Sequence, residues 1–70
     1  MKNNIRVERA RLHMSQQELA EKAGVIRQTI AAIEHGRFNP STVLALKIAS
    51  IFNLTVEQLF ELEDTDWAKS

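Results

Sequence analysis

Arg27 and Gln28 stand side by side, with Ala31 and Ala32 about one turn further on and His35 one turn beyond those. A helix advances about 100° per residue. If Ile26, Ile30 and Ile33 form its inward stripe, Gln28, Ala31, Ala32 and His35 point outward and Arg27 lies at the flank. These side chains are suited to reading base edges. Arginine bonds guanine bidentately, glutamine does the same with adenine, and alanine either permits close approach or touches a thymine methyl group. Taken singly, Arg27 and Gln28 are ordinary helix-surface residues. A merely solvated face, however, would be mixed in charge, and two alanines at solvent positions make this one compact and low in charge.

Other chemistry is poorly supplied. The chain has no cysteine and no tyrosine, His13 and His35 are far apart in sequence, and its acidic residues follow no pattern that suggests a pocket. No enzyme activity, metal, cofactor or small-molecule ligand is expected.

Five short helices are expected to position the reading edge, in an all-α fold. The first runs from about Asn4 to His13, with Ile5, Arg9 and Leu12 on one side and Asn3 or Asn4 as cap. Ser15-Gln16-Gln17-Glu18 is a capping box that opens the second, in which Leu19, Ala20 and Ala23 face inward until Gly24 turns the chain. After Val25 and Ile26 a third helix spans about 27 to 35 and closes at Gly36. Helix, glycine, tight turn, helix is an arrangement that lets the second helix project from the body and enter the major groove, which is about 12 Å wide. Asn39-Pro40-Ser41 breaks the pattern, and Ser41 caps a fourth helix to about Phe52. Leu44, Ile48 and Ile51 lie on one of its sides while Val43 and Leu46 lie elsewhere, so it is expected to be buried on more than one flank. Thr55-Val56-Glu57-Gln58 opens a short fifth helix, with Val56, Leu59 and Phe60 grouped. The alternation Phe60-Glu61-Leu62-Glu63 predicts a short half-buried strand, paired with the amino-terminal residues or with a second subunit.

Seventy residues make one domain, 1–62, followed by an acidic tail, 63–70, expected to be loose apart from Trp67. A domain of this size hides only about 60% of its unfolded surface. Without cysteine to staple it, self-association is the economical source of further stability. A homodimer is therefore expected, with Val56, Leu59, Phe60, Leu62 and Trp67 at its interface. There is no long apolar run, leader or lipidation signal, so a cytoplasmic protein without membrane contact is expected. Net charge is zero, but its distribution is uneven. Seven basic against four acidic residues in 1–40 give +3, and two against five in 41–70 give −3. The basic half would turn toward phosphates. A rival reading is a protein-interaction module, an antitoxin or adaptor, whose acidic end binds a basic partner.

Ser15-Gln16-Gln17-Glu18-Leu19-Ala20, Gly24-Val25, Arg27-Gln28-Thr29-Ile30, Ile33-Glu34, Gly36 and Asn39-Pro40-Ser41 resemble, in order and spacing, the small Cro/repressor-type helix-turn-helix regulators, the XRE family. The resemblance covers residues 4 to 62. It implies a five-helix, lambda-repressor-like domain that binds double-stranded DNA as a transcriptional regulator. By the same resemblance Arg27, Gln28 and Ala32 read bases. Gln16 holds a phosphate, Thr29 contacts backbone or flanking bases, and His35, Arg37 and Asn39 hold phosphates beyond the recognition helix. Arg9 and Glu34 correspond to a structural ion pair. Two positions depart from the pattern: Ile26 stands where many relatives carry a capping Ser or Thr, and Asn53 replaces a glycine after the fourth helix.

Overall fold

In the computed structural model, which describes residues 1–68, the chain runs β1 (Lys2–Asn3), α1 (Ile5–Arg11), α2 (Gln16–Ala23), α3 (Arg27–Glu34), α4 (Thr42–Ile51), α5 (Val56–Leu59) and β2 (Phe60–Glu61). One turn of 3-10 helix, Asp64–Trp67, follows. Residues 69 and 70 of the expected tail lie outside the described residues.

Side-chain oxygens set most of the helix starts. Ser15 Oγ accepts from the Glu18 N–H at 3.0 Å while the Glu18 carboxylate accepts from the Ser15 N–H at 3.2 Å. Thr55 and Gln58 repeat the exchange at 3.2 and 2.9 Å, and Ser41 Oγ accepts from Leu44 N–H at 3.2 Å. Each bond satisfies an amide that the helix itself leaves orphaned. For α1 the oxygen comes from Asn3, which accepts from Ile5 N–H at 3.2 Å.

Four helices end in the same way. In α1, α2, α3 and α4 the chain turns through a left-handed residue, His13, Gly24, Gly36 and Asn53 respectively. The next N–H then reaches back five residues: Met14 to Arg9, Val25 to Ala20, Arg37 to Ala32 and Leu54 to Ala49, at 2.8 to 3.0 Å. This is the Schellman motif, which normally folds an apolar side chain back against the helix end. Met14, Val25 and Leu54 do so; Arg37 is exposed.

The core is built from Ile5, Leu19, Ile30, Ile33, Ile48 and Leu59, all essentially inaccessible, with Ala20, Ala23, Ala49, Phe52 and Phe60 filling between them. Burying each large aliphatic side chain stabilises the fold by about 1.5–3 kcal/mol. β1 and β2 pair antiparallel, Lys2 opposite Glu61 and Asn3 opposite Phe60, so the predicted strand does meet the amino-terminal residues.

Several expectations need correction. Ile26 does not join the stripe of Ile30 and Ile33: it is the extended N-cap of α3 and 66% exposed, because helical phase does not apply to a residue outside the helix. Leu12 is exposed for the same reason, being the C-cap of α1. α4 is buried on one side only, through Leu44, Ala45, Ile48 and Ala49; Val43 and Leu46 are exposed. β2 stops at Glu61, leaving Leu62 exposed. The segment after it does not run free. The Met1 amino group pairs with Glu63 Oε1 at 3.0 Å and Asp66 Oδ2 at 3.1 Å, and the Glu63 N–H donates to Asp66 Oδ2 at 2.7 Å. That N–H bond and the amine hold the Asp66 carboxyl below its usual range. The same carboxylates, Glu63 first, raise the amine.

Candidate nucleic-acid interface

Ala20 and Ala23, the small residues on the inner face of α2, are fully buried beside Leu19, and Ile30 and Ile33 of α3 are buried with them in the same core. Small side chains on one helix let the other lie close, and α2 with α3 forms the most extensive contact between elements of the fold. Gly24, at φ +75°, supplies the sharp exit from α2 that this pairing needs. With its isoleucines committed inward, α3 leaves its opposite edge available. Arg27, Gln28, Ala31, Ala32, His35 and Arg37 line one shallow open hollow there. The arginines, Gln28 and His35 are exposed, while Ala31 and Ala32 are half-buried as its floor. No carboxylate is among these residues.

Behind the edge runs a chain of hydrogen bonds. The Arg9 guanidinium donates from Nε to Glu34 Oε2 at 2.7 Å, from Nη2 to Glu34 Oε1 at 3.1 Å, and from Nη1 to the Met14 carbonyl at 2.9 Å. Glu34 is 4% exposed in its side chain, and its hydrogen bonds raise the Arg9 pKa against the opposing effect of burial. Gln16 Nε2 donates to the same Glu34 Oε1 at 3.1 Å, and Gln16 Oε1 accepts from Arg27 Nη1 at 3.3 Å. Arg9 thus neutralises the Glu34 carboxylate behind this edge, and Gln16 links that anchored carboxylate to Arg27. Restraining a long side chain before it meets a ligand lowers the entropy lost on binding.

The other residues named for the site fall as follows. His35 caps the end of α3, its Nδ1 3.0 Å from the Ala31 carbonyl. Thr29 is half-buried and lies outside the hollow, and Asn39 is exposed on the segment before α4. Leu59 and Phe60, expected at a subunit interface, are buried in the chain's own core; Val56 is half-buried, and Leu62 and Trp67 are exposed. Ala31, placed outward by helical phase, completes the floor beside Ala32. One contributor was not foreseen. Asn3 Nδ2 donates to the Ile33 carbonyl at 2.9 Å, bracing the end of α3 from β1, a contact across thirty residues for which local sequence offers no signal. Among the described residues, no group of three or more His, Asp or Glu side chains is placed to hold a metal ion, and no helix is long and apolar enough to cross a membrane.

The profile of the helix-turn-helix family matches residues 5–59. The chain belongs to that family, in its Cro/repressor or XRE-type branch. An uncharacterized HTH-type transcriptional regulator of Archaeoglobus fulgidus is 49% identical over 70 residues, 99% of this chain and 100% of the relative. The restriction-modification controller protein C.AhdI of Aeromonas hydrophila superposes with a TM-score of 0.75 at 32% identity, covering 81% of this chain and 86% of the other. A hypothetical transcription factor from Neisseria, NHTF, gives 0.72 at 31% identity over 79% of this chain; the chain spans 63% of that protein. The five-helix arrangement is therefore the lambda-repressor-like one, and the family is one of DNA-binding transcriptional regulators. Its helix-turn-helix is α2, Gly24–Ile26 and α3, and Ile26 starts α3 without a side-chain cap.

Proposed function

We propose that the chain is a sequence-specific repressor that binds a near-palindromic operator as a homodimer, with α3 in the major groove. Arg27, Gln28 and Ala32 read base edges over the floor of Ala31. Gln16, Thr29, His35, Arg37 and Asn39 hold the backbone on either side. The observation that carries this reading is the acid-free hollow along α3, opposite an isoleucine face that is wholly buried. Phosphate contacts would fix register, and the short reach from an alanine floor would let the Arg27 and Gln28 side chains meet bases.

Two-fold symmetry in the protein would be mirrored in the DNA, with half-sites about one helical turn, 34–36 Å, apart. Selection from a random pool of duplex DNA tests this. The expected result is enrichment of an inverted repeat with that spacing. Enrichment of nothing, or of a single asymmetric site, would overturn the sequence-specific or the dimeric part respectively.

A further inference from the structure

Besides Val7, Leu12, Ile26 and Phe38, two groups of large apolar side chains are exposed. The first is the outer flank of α4. There Val43, 67% exposed, and Leu46, 56% exposed, line an open hollow with Ile51, Ser50, Lys22 and Lys47. The second is the end of the described chain, where Leu62 is 57% and Trp67 75% exposed. Their setting is largely acidic. Glu63 and Asp66 are taken up by the Met1 amine, while Asp64 and Glu61, the latter opposite Lys2 in the strand pair, are exposed.

The two surfaces complement each other in both respects. One is an open apolar hollow lined in part by Lys22 and Lys47, and the other carries two exposed apolar side chains, Leu62 and Trp67, on a segment rich in carboxylates. Tryptophan is among the residues that most often dominate association contacts. Within one chain the two do not meet, since both stay exposed.

We propose that the turn Asp64–Trp67, with Leu62, seats on the α4 hollow of a second copy of this chain. Trp67 and Leu62 cover Val43 and Leu46, and Lys22 and Lys47 face Glu61 and Asp64. Around a two-fold axis each copy gives its tail and receives the other's, so the contact is made twice. This inference rests on the dimeric reading above and assigns its surfaces, moving them away from Leu59 and Phe60.

Sedimentation without DNA tests it, using a hollow variant, Leu46→Asp, and a tail variant, Leu62→Ser with Trp67→Ala, each checked for helical content. The wild type is expected to sediment as a dimer, with Trp67 emission moving to the blue as concentration rises. Each variant alone should show a dissociation constant raised about 30-fold or more, the effect of losing a dominant contact. Mixed, the two should associate again, because the hollow of one and the tail of the other are intact. If Leu46→Asp does not fold, Lys22→Glu with Lys47→Glu replaces it, and Glu61→Lys with Asp64→Lys is the partner expected to restore association. A wild-type dimer indifferent to the tail variant, or variants that fail to complement, would overturn the inference and leave the dimer standing. Assemblies that grow beyond dimers would overturn its reciprocity. A wild type that is monomeric, free and on DNA, would remove the inference and the dimeric reading together.

Discussion

α3 and the helices around it are finished differently. α2, α4 and α5 begin on Ser15, Ser41 and Thr55, each capping through its side chain; α3 begins on Ile26, which cannot. α1, α2 and α4 end with Met14, Val25 and Leu54 folded against the core, whereas the same turn after α3 holds out Arg37. The surrounding helices thus use their ends for stability. α3 keeps its ends clear and depends on its buried face, on Asn3 and on the Arg9–Glu34 pair.

The largest expected effect comes from removing that support. Arg9→Met leaves the Glu34 carboxylate buried without its partner, a loss of about 3 kcal/mol that urea unfolding would measure. For a domain with a stability of about 5 kcal/mol, that approaches global unfolding. A loss below about 1 kcal/mol would mean that α3 does not depend on the pair. Next come Arg27→Ala and Gln28→Ala, each expected to weaken the selected operator by about 1–3 kcal/mol while random-sequence affinity and melting temperature hold. Equal losses on every sequence would make them phosphate contacts instead.

Giving α3 the finish of its neighbours sharpens the comparison. Ile26→Thr supplies the missing cap at an exposed position and is expected to stabilise by about 1 kcal/mol in the same unfolding assay. Arg37→Leu completes the apolar turn and should add about 0.5 kcal/mol. It should also lower affinity for operator and random DNA alike and flatten the salt slope by about one. Unchanged DNA binding would show that Arg37 is held out for no phosphate.

The smallest effect concerns the tail. The Asp66 carboxyl is depressed, so its contribution is whole above its unfolded value of about 4 and disappears as pH falls through the lower folded value. The Met1 amine is raised, so its contribution is whole below about 8 and disappears as pH rises through the higher folded value. Emission from Trp67, the sole tryptophan, should change at both limits in dilute protein and stay level between them. A flat response throughout would remove the tie.

Much of the fold was legible because its punctuation is chemical and local. Capping boxes at Ser15 and Thr55, the break at Pro40 and the left-handed Gly24 and Gly36 mark most of the helix boundaries. Which edge of α3 faces outward was legible because Ile30 and Ile33 orient the helix. Errors gathered where locality fails. Ile26 and Leu12 sit at cap positions, where helical phase does not apply. Val43 and Leu46 are apolar, and apolar composition alone does not say which side of α4 the core occupies. The placement of Gln16 between Glu34 and Arg27, the brace from Asn3, and the bond from Met1 to Asp66 join residues far apart in sequence, so no local pattern announces them.

The pairing of Lys2 with Glu61 and Asn3 with Phe60 closes a loop around almost the whole chain. Such a closure, like that of the Met1 amine on Glu63 and Asp66, ranks among the costliest in entropy, and so few bonds return little until the helices have already brought the ends together. In time, then, the strap is the last part to assemble and the first to come undone. Its amides should exchange with deuterium while those of α2 and α4 remain protected, so that the molecule opens from its two ends inward.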